Sequence, residues 1–195
     1  MDSVRTFFRR HPVSVVSGGA VVTAAVDAGP NTPCDVLRAE GKRFTRYARR
    51  VGMTVELPFA PVDAIIRRNA DGLRVSADAA EELAARIQDR GAELAIEAAE
   101  EATEDGRKTL MAADFGVGQV VDRDAVDLPV APVDRIARLR IDDRYRVSME
   151  ARIALADILE DYADNVARAA AKLARHADRR TVQAEDIETY FALFE

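Results

Sequence analysis

Two short motifs place a cation just ahead of a predicted helix. Arg74 precedes Ser76, and Arg146 precedes Ser148, with a valine between them in both motifs. Serine is a favoured helix N-cap, and the acidic residue two positions after each serine suits the helix dipole. The motifs therefore predict helices that begin after these serines. An arginine at a helix N-terminus can contact an anion such as phosphate, although alone it is more often a solvated surface charge.

The two motifs belong to a longer internal repeat. The stretch 106–109, which reads Gly-Arg-Lys-Thr, returns 72 residues later as Asp-Arg-Arg-Thr, and the same offset separates the two Arg-Val-Ser motifs. The stretch 57–63, which reads Leu-Pro-Phe-Ala-Pro-Val-Asp, returns 71 residues later with a single change. A unit of about seventy residues therefore occurs twice, with one residue inserted near 140–145 of the second copy.

Each repeat predicts an all-α unit of a short, a long and a short helix. The first long helix is expected over residues 77–103, from apolar residues at helical spacing, and a short third helix follows Thr109. The first helix of the second repeat is expected to include Leu139. A helix of about 27 residues spans about 40 Å, which two short helices cannot cover, so two units must cross over each other. The predicted segments are an extension (1–52), a first unit (53–121), a linker (122–127) and a second unit (128–195).

Residues that commonly carry catalysis or bind metals are scarce. The chain has two histidines, His11 and His176, a single cysteine, Cys34, and neither a glycine-rich phosphate loop nor a cluster with metal-ligand spacing. Its many carboxylates fall on the polar faces of the predicted helices. We therefore expect no enzymatic activity, no metal or cofactor and no small-molecule substrate. The apolar run 13–26 is too short to cross a bilayer, so we expect no membrane partner.

The net charge of −6 is unevenly distributed along the chain. Residues 1–52 hold nine Lys or Arg against four Asp or Glu, whereas residues 53–125 hold eight against sixteen, and residues 126–195 hold eleven against fourteen. Only three of the basic residues are lysines. An acidic, lysine-poor composition is typical of proteins in molar salt. A GC-rich genome, which also favours Arg and Ala, is the alternative explanation.

Residues 1–52 lie outside the repeat, and three interpretations of them stay open. Arg9 and Arg10 ahead of the short apolar run resemble an export signal. The strongly basic stretch 38–50 is typical of a disordered arm that touches nucleic acid. Alternatively, the segment is a mispredicted extension, which the position of Met53 immediately before the first repeat favours.

The repeated motifs resemble those of archaeal histones. The shared patterns are Leu-Pro-x-Ala-Pro-Val-Asp, Arg-Val-Ser, and Arg-(Lys/Arg)-Thr followed by Asp five positions after the threonine. Two fused copies over residues 57–195 resemble the doublet histones of salt-loving archaea. The resemblance implies two tandem histone folds paired in an intramolecular handshake, as a pseudo-dimer. The loop of Arg74 would then lie beside that of Thr181, and the loop of Arg146 beside that of Thr109.

The resemblance also implies double-stranded DNA as the partner. Proteins that bend DNA of any sequence insert arginines into the minor groove and offer helix N-termini to phosphates. Ala64 stands where the second repeat has Arg135, so the first repeat has lost one basic position. The implied DNA-contacting residues are Arg67, Arg74, Ser76, Lys108, Thr109, Arg135, Arg138, Arg146, Ser148, Arg180 and Thr181.

Two further pairs of residues are implied to be structural. Arg107 would form a salt bridge with Asp114, and Arg179 with Asp186, each holding a second loop to the third helix of its own repeat. These arginines are expected to stabilise the loops rather than to contact DNA.

The two ends of the molecule are expected to associate differently. Leu173, His176 and Asp186 have the residue types of a contact between histone pairs, in which a histidine meets an aspartate within a four-helix bundle. The first repeat has Glu101 and Glu104 at the matching positions, and facing carboxylates repel one another. We therefore expect self-association through the C-terminal histone fold, which would stop at two chains.

The leading interpretation is a cytoplasmic, chromosome-associated protein that bends or wraps DNA with little sequence preference. The acidic balance opposes it, because nonspecific affinity for DNA is largely electrostatic. In molar salt, however, a Debye length of about 3 Å screens distant repulsion. A histone-fold transcriptional regulator acting at selected promoters is the alternative, and a dimerisation module that does not bind DNA is the third interpretation.

Overall fold

The structure, a computed structural model, describes residues 54–194. The expectations for residues 1–52, and for a start at Met53, fall outside the described residues. The first repeat comprises helix α1 (Phe59–Asn69), strand β1 (Arg74–Val75), helix α2 (Ala77–Glu104), strand β2 (Thr109–Leu110) and a 3₁₀ turn (Ala112–Phe115). A second 3₁₀ turn (Arg123–Ala125) lies in the linker. The second repeat comprises α3 (Val130–Ala137), β3 (Arg146–Val147), α4 (Met149–His176), β4 (Thr181–Val182) and α5 (Ala184–Phe194).

The long helices begin where the serine motifs predict. The Ser76 hydroxyl accepts a hydrogen bond from the Ala79 N–H at 3.2 Å, and the Ser148 hydroxyl accepts one from the Ala151 N–H at 3.1 Å. These caps satisfy backbone donors that have no partner within the helix. Both long helices have 28 residues, so each spans about 42 Å at 1.5 Å per residue.

The predicted third helix of the first repeat is a single 3₁₀ turn. The chain turns at residues 112–115 and then leaves the helical region at Gly116, which has a φ of 73°. Glycine adopts this left-handed conformation without the steric cost of a Cβ, and Gly118 soon after gives a helix no further support. The second repeat has no glycine in the matching stretch and forms the 11-residue helix α5.

The first helix of the second repeat is shorter than predicted. Helix α3 ends at Ala137, and Leu139, which was expected on its apolar face, is 42% exposed in the following loop. The repeat offset changes from 71 to 72 in this loop, so the inserted residue lengthens the connection between α3 and β3.

The two repeats pair as a handshake, which confirms the predicted fold class. Strand β1 pairs in parallel with β4, with Arg74 opposite Thr181, and β2 pairs in parallel with β3, with Thr109 opposite Arg146. Apolar residues from both repeats form one core between the crossed long helices. Its largest fully buried side chains include Ile65, Ile66, Leu83, Ile87, Leu110, Leu128, Ile136, Leu155, Leu159 and Ile187.

An ionic cluster holds the linker against the folded pair. Arg68 on α1 forms ion pairs with Asp127 at 2.5 Å, Glu160 at 2.8 Å and Asp164 at 2.8 Å. The other oxygen of Glu160 accepts the Asp127 backbone N–H at 2.8 Å. The cluster therefore joins the first repeat, the linker and α4 of the second repeat.

Candidate nucleic-acid interface

The first loop pair joins the start of α2 to the loop after α4. The Arg74 backbone N–H donates to the Arg180 carbonyl at 2.9 Å, and the Ser76 N–H donates to the Val182 carbonyl at 3.0 Å. These main-chain bonds fix the backbone beneath the side chains of Arg74 and Arg180, which are both exposed. Thr181, directly opposite Arg74, is half-buried.

The second loop pair repeats this arrangement at the other end of α2. The Arg146 N–H donates to the Lys108 carbonyl at 2.8 Å, and the Ser148 N–H donates to the Leu110 carbonyl at 3.0 Å. Lys108, Thr109 and Arg146 are exposed. The hydroxyls of Ser76 and Ser148 accept capping bonds, so each retains its own hydrogen for donation to an anion.

The cations of the two loop pairs differ from most other basic residues. Among residues 54–194, the side chains of Arg74, Lys108, Arg146 and Arg180 form no ion pair, whereas most of the remaining arginines contact a carboxylate within 4 Å. A cation without an internal partner contributes its full charge to an external anion. Each end of the molecule therefore presents two such cations beside a capped helix N-terminus.

Salt bridges anchor both second loops. Arg107 bonds Asp114 through both of its terminal nitrogens, at 2.6 and 3.0 Å, and Arg179 pairs with Asp186, which is 1% exposed. The hydrogen bond from Arg107 is the main reason that the pKa of Asp114 is lowered, and the N–H of Met111 contributes. Each bridge spans seven residues and holds the loop against the turn or helix that follows.

The central basic residues are engaged by carboxylates. Arg67 lies 2.5 Å from Asp63 and Arg138 lies 3.1 Å from Asp134, both one helical turn apart. Arg135 lies 2.5 Å from Glu56, which the sequence does not single out, because no local spacing joins residues 79 positions apart. Ala64 is exposed at the position that matches Arg135. The centre of the molecule therefore presents less free positive charge than its ends.

The C-terminal end carries an exposed apolar surface. Leu173 is half-buried, His176 is exposed, and Phe194 on α5 is 72% exposed. A groove of about 590 Å³ runs between these residues and Tyr190. Asp186 does not reach this surface, because it is buried and bonded to Arg179 and to the Gln183 N–H.

The matching N-terminal end is acidic. Glu101 and Glu104 are exposed, and they line a groove of about 480 Å³ with Glu97, Glu100 and Phe115. The groove lies beside the 3₁₀ turn that takes the place of a third helix. The two ends of the pseudo-dimer are therefore chemically different.

Other classes of site find no support in residues 54–194. None of the described helices combines the length and apolarity needed to cross a membrane. Among the same residues, no group of three or more His, Cys, Asp or Glu is placed to hold a metal ion.

A handshake of two helix–strand–helix units with free cations at both loop pairs defines the histone-fold class of DNA-binding proteins. The sequence matches the family of histone-like transcription factors (CBF/NF-Y) and archaeal histones twice, over residues 55–116 and 126–190. The chain belongs to this family. Its members are structural DNA-binding proteins rather than enzymes, and they self-associate as dimers.

Two archaeal histones are similar in sequence. Archaeal histone HAN1 of Thermococcus zilligii is 49% identical over 61 residues, which are 31% of this chain and 88% of the relative. Probable archaeal histone 3 of Methanocaldococcus jannaschii is 44% identical over 62 residues, which are 32% of this chain and 90% of the relative. Each relative thus corresponds in length to about one of the two repeats.

Solved structures share the fold. The crystal structure of the histone from Methanopyrus kandleri superposes with a TM-score of 0.53 at 23% identity, covering 67% of this chain and 90% of that one. A crystal structure of a protein from Thermus thermophilus gives a TM-score of 0.54 at 18% identity, covering 72% of this chain and 99% of that one. At these identities, the similarity establishes the fold alone.

Proposed function

We propose that this chain bends or wraps double-stranded DNA with little sequence preference and holds the DNA backbone at its two loop pairs. The observation that carries the proposal is the placement of Arg74 with Arg180 and of Arg146 with Lys108, all exposed and without carboxylate partners. Loop arginines of this kind suit insertion into an inward-facing minor groove, and the serine hydroxyls and main-chain amides suit phosphate contacts.

The spacing of the two loop pairs supports contact at successive turns of the duplex. One loop pair lies at the start of α2 and the other just after its end, so about 42 Å of helix separates them. A given groove of B-DNA returns to the same side about every 34–36 Å. Two contacts at this separation, with a less positive centre between them, favour a duplex held at both ends of the molecule.

The proposal is tested on random-sequence DNA with the full chain. Nuclease protection and ligase-mediated circularisation of short fragments are measured from 0.1 M to above 1 M KCl. The variant Arg74→Ala/Arg146→Ala is expected to lose both protection and circularisation. The control Arg90→Ala/Arg123→Ala removes the same charge from positions outside the loop pairs and should behave as the wild type. Equal protection by the loop variant, or no protection by the wild type at any salt, would contradict the proposal.

A transcriptional regulator at selected promoters is the second candidate function. It is favoured by the ion-paired central arginines and the net charge of −6, which leave few free cations for general packaging. Genome-wide occupancy separates the two functions. A packaging protein is abundant and broadly distributed, whereas a regulator is scarce and confined to a small number of promoters.

We also propose that two chains pair through their C-terminal ends and that assembly stops there. The exposed ring of Phe194 and the groove beside Leu173 and His176 supply apolar area, whereas Glu101 and Glu104 repel a second acidic end. Burial of Asp186 means that the contact rests on the apolar residues and His176 rather than on this carboxylate. An isologous contact of this type closes after two copies.

Sedimentation of the full chain in molar KCl tests the pairing. The variant Phe194→Glu is expected to sediment as a single chain, because a carboxylate would be buried in the apolar contact. The control Phe59→Glu changes another exposed phenylalanine, on α1, and should leave the pairing intact. Open-ended growth of the wild type on DNA would rule out a contact that closes.

A further inference from the structure

An arginine in the lengthened loop lies next to the second loop pair and is fixed on a tyrosine. The Arg144 Nη2 donates to the Tyr145 hydroxyl at 2.9 Å, and the guanidinium carbon lies 4.9 Å from the centre of the tyrosine ring. The Tyr145 hydroxyl is also 2.6 Å from the Thr103 hydroxyl on α2, and the tyrosine is only 7% exposed. The tyrosine is thus held by the core, and it holds the arginine.

Arg144 is exposed and forms no ion pair with any carboxylate among residues 54–194. The nearby carboxylate of Asp142 accepts the backbone N–H of Arg144 at 2.9 Å, and the guanidinium turns instead to the tyrosine. Guanidinium has five N–H donors, and one of them serves Tyr145, so four remain for an anion. Stacking on a fixed ring reduces the side-chain entropy that would be lost when the anion binds.

The other end of the molecule lacks this cation. At the offset of 72 residues, Gly72 takes the place of Arg144, and Arg175 replaces Thr103. Arg175 is engaged by the carboxylate of Asp71 at 2.8 Å and by the Ala70 carbonyl at 3.0 Å. The first loop pair therefore presents two free cations, whereas the second presents three.

Arg144 is placed where a duplex held by the second loop pair passes. It precedes Arg146 by two residues, and the residue between them is buried, so both arginines project from the surface. The backbone of Arg146 is bonded to Lys108 on the adjoining loop at 2.8 Å. Three cations without carboxylate partners therefore adjoin one helix N-terminus, that of α4.

We infer that Arg144 is a further phosphate-binding residue, which makes the second loop pair hold DNA more strongly than the first. The inference rests on the proposed function, and it adds a residue and a polarity that the two motifs do not contain. Binding at this end engages three cations, so the complex dissociates first at the β1–β4 end.

Salt-dependent binding of random duplex DNA to the full chain tests the inference. Each phosphate contact contributes about 0.9 to the slope of log affinity against log salt. Arg144→Gln is expected to reduce that slope by about 0.9 and to weaken binding about eightfold at 0.1 M KCl, with the difference vanishing toward 1 M. Arg123→Gln, which removes an exposed linker arginine, should leave the slope unchanged. Tyr145→Phe keeps the cation but removes its anchor, so it should weaken binding less and preserve the slope.

The outcomes separate this inference from the proposed function. An unchanged slope in Arg144→Gln, while Arg74→Ala/Arg146→Ala loses binding, would overturn the role of Arg144 and leave the loop pairs standing. A wild type that binds no random DNA would overturn both. Because Arg144 is exposed, the thermal unfolding midpoint of Arg144→Gln should match that of the wild type, which confirms that the slope reports a contact rather than lost structure.

Discussion

Gly91 on α2 lies against Ile136 on α3, at the point where the two repeats pack most closely. A Cβ built on Gly91 would lie 2.7 Å from the Ile136 Cγ2 and 3.0 Å from the Leu159 Cδ1. Both contacted side chains are fully buried. Ala163 occupies the matching position of the second repeat, so the fold tolerates a methyl group there but this particular contact does not.

Gly91→Ala should therefore destabilise the protein, although alanine favours helix by about 1 kcal/mol relative to glycine. Overpacking of a filled core costs about 1–3 kcal/mol, and the Ile136 Cγ2 is attached directly to Cβ and has little freedom to move. The expected net loss is up to about 2 kcal/mol in the free energy of unfolding, measured by urea denaturation. The same change combined with Ile136→Ala should cost less than the sum of the single changes. A Gly91→Ala variant more stable than the wild type would show that the contact relaxes freely.

The Arg68 cluster predicts a salt-dependent stability. Arg68→Ala would leave Asp127, Glu160 and Asp164 without their shared cation, so the free energy of unfolding should fall by roughly 1–2 kcal/mol in dilute buffer, discounted for the partial exposure of Arg68. In molar KCl the loss should be smaller, because mobile ions screen the carboxylates. Arg90→Ala, which removes a 3.6 Å exposed pair with Glu93, is the control and should change little at either salt. A loss that is independent of salt would assign the effect of Arg68 to packing.

Much of the architecture could be predicted because it is written in local patterns. The serine caps and the paired offsets of 71 and 72 predict the long helices and the opposition of Arg74 with Thr181. The patterns fail where one residue changes the backbone, as at Gly116, which ends the third helix of the first repeat after one turn. They also cannot show partners that are distant in sequence, and for this reason the ion pair of Arg135 with Glu56 required the structure.

The bridge between Arg107 and Asp114 predicts a pH-dependent stability. The pKa of Asp114 is lowered in the folded chain, so the bridge stabilises the protein above the ordinary aspartate pKa, and this contribution is lost as the pH falls through the lowered value. Arg107→Met should therefore lower the unfolding midpoint at pH 7 and have a diminishing effect as the pH falls below about 4. Lys108→Met, next in sequence but without an ion pair, should have no such pH dependence. A destabilisation of Arg107→Met that is equal at pH 7 and pH 2.5 would exclude the carboxylate as its cause.

The central arginines should contribute less to DNA binding than the loop arginines. Phosphate must displace Asp63 from Arg67 and Asp134 from Arg138, so part of each new contact replaces an existing one. Arg67→Ala/Arg138→Ala is expected to change the slope of log affinity against log salt by well under the roughly 1.8 expected for two full phosphate contacts. Arg74→Ala/Arg146→Ala should approach that value.

The variant Asp63→Asn/Asp134→Asn distinguishes ion pairing from mere distance to the DNA. It frees both central arginines without removing a cation, so the slope should become steeper and the affinity at 0.1 M KCl should rise. Asp134 also lies 3.0 Å from Arg152, which the same change would release, so Asp63→Asn alone is the cleaner measurement. If Asp63→Asn leaves DNA affinity unchanged, Arg67 is too far from the duplex to bind it, and the central helices serve only to hold the two loop pairs apart.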